Sequence, residues 1–255
     1  MKKQRKIIVG NWKMYPETSE RAKEIFAAIS RGVRGIKKTE VVICPPSVYL
    51  PIFKKSKSKI FSLGAQNVFW EMAGAYTGEV STKMLSEFGA KFVIVGHSER
   101  RRLGETDEAV SKKVSAVIRA GLKAIICIGE SERDVNGAYF EFLKNQIKNS
   151  LSGLRPADLQ KIIIAYEPIW TIGKSYNDAM KPSDIHEMSL YIKKLLSDMY
   201  SKEIAFKVPV IYGGSAEVEN AFSIMSEGQV DGLLVGHKSL VPEDFIKIVK
   251  AADVA

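Results

Sequence analysis

The sequence predicts a closed (β/α)8 barrel, eight parallel strands surrounded by helices, in a single domain covering residues 1–255. Three observations carry this. Strand-like apolar runs recur eight times, with a helix-period stretch after nearly every one. Most of these runs are continuous rather than alternating, as strands buried on both faces must be. Spread over eight units, 255 residues give about 32 per unit, the size of a βα repeat.

The elements follow in order. Strands are expected at 6–11, 40–44, 61–67, 92–96, 123–129, 162–167, 208–213 and 232–236. A helix over 17–30 follows Pro16 and places Ala22, Ile25, Phe26 and Ile29 on one face. A second, over 106–120, carries Val110, Val114, Val117 and Ile118 and stops at Gly121. A third, over 138–150, has Phe142, Leu143 and Ile147 at the same spacing. The helix over 182–200 begins with proline in its first turn and a Ser183–Asp184 capping pair. Helices over 215–226 and 242–251 close the chain. A doubly wound open sheet is the alternative, but it would carry a Gly-rich fingerprint after its first strand. Here that strand ends in GNWKM. No Pro/Gly/Ser linker or low-complexity block marks a domain boundary.

Composition narrows the function class. Hydrophobic content of 45% and charged content of 26% are ordinary for a soluble globular protein. No apolar run reaches the roughly 18 to 20 residues that span a bilayer, so no membrane partner is expected. The basic N-terminus lacks a long apolar region and reads as a tail rather than a signal peptide. Cys44 and Cys127 lie in apolar runs and read as buried, reduced thiols of a cytoplasmic protein. Two cysteines offer no disulfide framework and no metal pattern. The net charge of +9 raises nucleic-acid binding as a possibility. The cations, however, are dispersed: Lys2, Lys3, Arg5 and Lys6, then Lys54, Lys55, Lys57 and Lys59, then Arg100 to Arg102. They are not interleaved with aromatics, so no nucleic-acid partner is expected, and the positive field suits a small anionic substrate.

In a barrel of this kind, chemistry gathers at the C-terminal ends of the strands. Asn11 and Lys13 stand after strand one, and His97, Ser98, Glu99 and Arg100 after strand four. Glu167 ends strand six in IIIAYEPIW, a costly place for a charge unless the site uses it. Pro168 restricts its backbone to extended conformations, and a shielded carboxylate is a stronger base than a solvated one. His97 falls where a short helical turn could begin, and backbone N–H groups there disfavour its charged form. Strand alternation points Lys13 to the same side as Asn11. Gly213, Gly214 and Ser215 follow strand seven, and Gly236, His237, Lys238 and Ser239 follow strand eight. Loops there let backbone N–H groups approach a phosphate.

Together these motifs resemble the triosephosphate isomerase family. The likeness runs in order through GNWKM, AQNV (65–68), GAYTGEVS (74–81), VGHSERR (95–101), CIGE (127–130), AYEPIWTIGK (165–174), IYGGS (211–215) and DGLLVGHKSL (231–240). The family is itself a standard worked case of tuned acid–base pairs and of a loop that closes over substrate. The resemblance implies a TIM barrel that interconverts dihydroxyacetone phosphate and D-glyceraldehyde 3-phosphate through an enediolate, without cofactor or metal, in glycolysis and gluconeogenesis. It implies Glu167 as base, neutral His97 as the group that polarises the carbonyl, Lys13 as counter-charge and Asn11 as orienting group. Ser98 and Glu99 would support them. Gly173, Gly214, Ser215, Gly236 and His237 would hold the phosphate. Residues 168–174 would form the closing loop, and Thr77, in GAYTGEVS, would reach the Asn11 region of a second subunit in a homodimer.

Three departures stand out. Gly173 is followed by Lys174, Ser175 and Tyr176 where the family usually reads T-G-K. His237 replaces the second of two adjacent glycines. The lysine-rich N-terminus is longer than the family requires. Two other readings compete: a barrel acting on a larger sugar phosphate, and a basic barrel that binds nucleic acid.

Overall fold

The computed structural model describes residues 5–54, 61–173 and 179–255. Its strands are β1 (Lys6–Asn11), β2 (Thr39–Cys44), β3 (Phe61–Ala65), β4 (Ala90–Val95), β5 (Lys123–Ile128), β6 (Ile162–Tyr166), β7 (Val210–Tyr212) and β8 (Gly232–Val235). Each pairs in parallel with the next, and β8 pairs with β1, so the sheet closes into a barrel. At the closing seam Gly232 lies opposite Ile7. Its φ is +158° and a Cβ there would overlap the Ile7 backbone, so this position requires glycine.

The continuous apolar runs have a direct structural cause. Alternate residues of each strand enter different cores. Ile7, Val9, Val42, Cys44, Phe92, Ile94, Ile125, Cys127, Ile163, Ala165, Ile211 and Leu234 pack together and fill the barrel. Their neighbours, among them Ile8, Val41, Ile43, Val93, Val95, Ile126, Ile164 and Val235, pack outward against the helices. Every fully buried Ile, Leu or Val in these layers contributes roughly 1.5–3 kcal/mol.

The helices are α1 (Ser19–Gly32), α2 (Leu50–Phe53), α3 (Thr82–Glu87), α4 (Ser98–Arg102), α5 (Asp107–Arg119), α6 (Ala138–Ser150), α7 (Pro182–Met199), α8 (Lys202–Ala205), α9 (Ala221–Ser226) and α10 (Pro242–Val254). Thr18 and Thr106 cap α1 and α5 by accepting the N–H of Arg21 and Ala109, each at 3.2 Å and worth about 1 kcal/mol. Gly121 follows α5 with φ +78°, as its place after the helix requires.

Several expected boundaries move, each for a local reason. The helix expected over 215–226 exists only as α9. Asn220 Nδ2 donates to the Ser215 carbonyl (3.0 Å) and its Oδ1 accepts the Glu217 N–H (2.8 Å), which holds 215–220 as a loop. Ser183 and Asp184 bond to each other at 3.2 Å and do not cap α7, which starts at Pro182 after Lys181. Strand β7 begins after Pro209, which has no N–H to give. Strand β3 ends where Gln66 turns to donate to the Cys44 carbonyl at 2.8 Å. Helix α10 runs three residues past the expected end at 251, because Ala252 is buried and Asp253 accepts the N–H groups of Lys37 and Lys38. Helices α2, α3 and α8, of four to six residues each, were not anticipated.

Lys174, Ser175 and Tyr176 of the expected loop hinge, and Lys2, Lys3, Lys55, Lys57 and Lys59, lie outside the described residues. Among the described residues no helix is long and apolar enough to cross a membrane.

Candidate active site

The C-terminal ends of the strands enclose a cavity of about 330 Å³. Asn11, Lys13, His97, Glu167, Gly173, Gly214, Ser215, Gly236 and His237 all line it. The expected site residues therefore converge, with Ser98 and Glu99 immediately behind them. Thr77 does not join them: it is exposed on the loop between β3 and α3, whose ends are tied by the Phe69 N–H on the Val80 carbonyl at 2.8 Å.

Glu167 is only 2% exposed, although it carries a carboxylate. The barrel builds a slot for it between two glycines. Its backbone N–H donates to Ile128 at 2.7 Å, and a Cβ on Gly129 would overlap its carbonyl oxygen. On the other side, a Cβ on Gly213 would come 2.8 Å from Glu167 Cγ. Strands β5 and β7 flank β6, so the residues that end them must be small. The Ser98 N–H donates to Glu167 Oε2 at 3.2 Å, and His97 Nε2 stands 3.3 Å from Oε1. Behind the carboxylate lies Cys127. Burial, then the adjacent Glu167 charge, hold its thiol well above the usual range, and burial raises Cys44 in the same direction.

His97 caps α4: its Nδ1 accepts the Glu99 N–H at 3.2 Å. A ring nitrogen that accepts carries no hydrogen, so the hydrogen of the neutral ring sits on Nε2, facing the cavity. The expected short helical turn is thus present, and it fixes the tautomer.

Lys13 reaches the cavity by a different route from the one expected. It is not placed by strand alternation, because β1 has ended at Asn11. Lys13 has a left-handed backbone, φ +53°, and its N–H donates to Asn11 Oδ1 at 3.0 Å. Its ammonium meets Glu99 Oε1 at 2.7 Å. Burial raises the Glu99 carboxyl, but the Lys13 bond and charge outweigh it and the net shift is downward.

The chain matches the triosephosphate isomerase family model over residues 6–252. It belongs to the triosephosphate isomerase family. Its curated relatives are named as that enzyme. The triosephosphate isomerase of Thermoanaerobacter pseudethanolicus is 45% identical over 248 residues, covering 96% of this chain and 98% of the relative. That of Dictyoglomus thermophilum is 41% identical over 250 residues, covering 97% and 99%. That of Geobacter metallireducens is 41% identical over 247 residues, covering 95% and 97%.

In this triosephosphate isomerase fold a second tier of polar contacts braces the cavity. Glu130 Oε1 accepts from Tyr166 Oη (2.8 Å), Trp170 Nε1 (3.0 Å) and Arg133 Nε (3.1 Å). Arg101 Nε donates to the Gly96 carbonyl at 2.7 Å, next to His97. Ser215 Oγ donates to the Thr171 carbonyl at 2.6 Å. Sequence reasoning missed Ala216, Glu217 and Leu234 as lining residues, and gave no individual role to Ile172 of the expected closing loop or to Lys238. Glu217 was hidden because a helix was expected there. Lys238 stood at the end of strand eight and was visible, but nothing in GHKS singled it out. No group of three or more His, Cys, Asp or Glu side chains able to hold a metal occurs among the described residues.

Proposed function

We propose that this chain interconverts dihydroxyacetone phosphate and D-glyceraldehyde 3-phosphate, with Glu167 as base and neutral His97 as hydrogen-bond donor. The observation that carries the reading is the pair itself: a buried carboxylate and an Nε2–H meet at 3.3 Å in one cavity. A substrate entering between them exchanges that contact for two new ones. Glu167 removes a proton from the carbon next to the carbonyl, and the electron pair moves onto the carbonyl oxygen. The His97 Nε2–H stabilises that oxygen and passes a proton between the two oxygens of the enediolate. Glu167 then returns its proton to the neighbouring carbon, so no atom is gained or lost. Lys13 offsets the negative charge, and Asn11 and Glu99 fix where its ammonium lies.

The phosphate is assigned to the opposite wall. The N–H groups of Gly214, Gly236 and His237 have no acceptor among the described residues, and these residues line the cavity from the loops after β7 and β8. Gly173 and Ser215 complete this wall. About 330 Å³ is near the lower limit for ligand pockets, which favours a three-carbon substrate over a larger sugar phosphate. Ile172, beside Gly173, supplies an apolar edge that would exclude water and keep the enediolate from losing phosphate.

The same reading makes the chain one barrel domain acting in the cytoplasm, in glycolysis and gluconeogenesis, as a homodimer, with no nucleic-acid or membrane partner. Exposed Met14, Val48, Met72, Tyr76 and Met84 support the dimer: all lie on loops and a helix that follow β1, β2 and β3, on one side of the barrel. Thr77 would enter the partner's site from this side. A coupled assay that starts from either triose phosphate tests the activity, and lack of turnover in both directions would refute it. Sedimentation at assay concentrations tests the dimer, and a monomer mass there would remove it.

A further inference from the structure

The cations at the phosphate wall are mostly paired already. Lys13 Nζ is bound to Glu99, and Lys238 Nζ lies 3.2 Å from Asp244 Oδ2. Glu217 adds a carboxylate to the same cavity. His237 differs from these lysines. Its imidazole has no hydrogen-bond or carboxylate partner among the described residues, and it is exposed.

Its position is defined. His237 lines the active-site cavity and also a second cavity of about 320 Å³ beside Tyr15, Pro16 and Arg21, so it stands on the ridge between the two. The backbone beneath it is fixed, because both the N–H and the Oγ of Ser239 donate to the Gly236 carbonyl, at 2.8 and 2.7 Å. The Lys13 side chain passes directly over Gly236: a Cβ there would lie 3.3 Å from Lys13 Cε and 3.7 Å from Nζ. The residue after Gly236 is therefore adjacent to the point where Lys13 enters the cavity.

We propose that the His237 side chain, and not only its backbone N–H, is a phosphate ligand, and that it takes up a proton when a dianion binds. This rests on the assignment of the phosphate wall made above. Several charged groups share the two cavities that His237 lines. Lys13 approaches after β1, Arg21 and Glu17 stand across the second cavity, Glu217 comes from the loop after β7, and Lys238 with Asp244 lies on its own side. Lys13, Arg21 and Lys238 are the cations among these groups, and Glu17, Glu217 and Asp244 the carboxylates. A bound dianion adds two negative charges at the wall and shifts that balance toward the imidazolium. The ring then makes the site selective for the dianion over monoanionic or uncharged trioses.

Sulfate is the suitable probe, because it remains a dianion from pH 6 to pH 8 and any pH dependence belongs to the protein. Competitive inhibition by sulfate is measured across that range for the wild type and for His237→Asn, which keeps the backbone N–H. The wild-type inhibition constant is expected to fall several-fold from pH 8 to pH 6, and the variant's to stay nearly flat. Proton NMR of the three histidines in the wild type needs no variant. With signals assigned through bonds, sulfate added at pH 7.5 should move the His237 ring resonances toward those of the protonated form. Equal pH dependence in both proteins, or an unmoved His237 signal in a site that sulfate fills, would overturn the proposal alone. If sulfate fails to compete with substrate at any pH, the assignment of the phosphate wall falls with it.

Discussion

His97 Nε2 lies 3.3 Å from Glu167 Oε1, and the first turn of α4 holds both side chains. The Glu99 N–H fixes His97 Nδ1, and the Ser98 N–H fixes Glu167 Oε2, each at 3.2 Å. Consecutive amides at one helix N-terminus thus orient the imidazole and the carboxylate together.

Ser98→Pro separates that role from helix formation. Ser98 is the first residue of α4, where proline is tolerated, and His97 already has a proline-compatible backbone at φ −55°, ψ 142°. The substitution replaces the amide hydrogen with a ring carbon aimed at Glu167 Oε2, so it both removes the donor and displaces the carboxylate. We expect a folded protein, by circular dichroism and melting, with kcat/KM lowered about 10-fold or more. An unchanged rate would show that this amide does not position the base.

The Lys13–Glu99 pair gives a pH signature. Glu99 titrates below its ordinary value in the folded protein, so the stability it contributes is present above the usual carboxylate range and is lost as pH falls through the lowered value. With the Glu99 side chain 38% exposed, solvent screens the pair and the effect is small. Urea unfolding of wild type and Glu99→Gln should show wild type the more stable above about pH 4.3, with the gap closing below it. The variant should also lose kcat/KM, as Lys13 loses its anchor. A gap that is the same at pH 7 and pH 3.5 would mean the charge on Glu99 does not matter.

Gly129→Ala places a Cβ against the Glu167 carbonyl. Backbone, not a flexible side chain, must then move. Overpacking of this kind costs about 1–3 kcal/mol, and here it also displaces the Glu167 carboxylate. The expected result is a lowered melting temperature together with a fall in kcat much larger than any change in KM. Loss of stability with full kcat would separate the slot from the chemistry.

How much of this could be read from the sequence follows from where the constraints lie. Strands such as 162–167 were legible because both faces of a barrel strand are buried and the residues record it directly. The place of Glu167 was legible because a carboxylate at the end of a buried strand is costly unless used, and that of His97 because a short helical turn could begin just past strand four. Constraints between distant segments left no local trace. Gly129 and Gly213 are glycines because of Glu167, which is remote from both in the chain. Lys13 enters through a left-handed residue that strand periodicity does not foresee. The 215–226 stretch has helical spacing, but the Asn220 side chain bonds the Ser215 carbonyl and the Glu217 N–H and holds its first six residues as a loop, and so Glu217 was hidden. Thr77 was placed by family likeness, and only the exposed apolar groups around its loop bear on that placement.

The central claim is that Glu167 is the base, and Glu167→Gln tests it most directly, since the amide fills the same slot but takes no proton. We predict a fall in kcat of about 10³-fold, with KM for the triose phosphate changed only a few-fold and the melting temperature close to wild type. A folded variant that turns over triose phosphate at the wild-type rate would contradict the account.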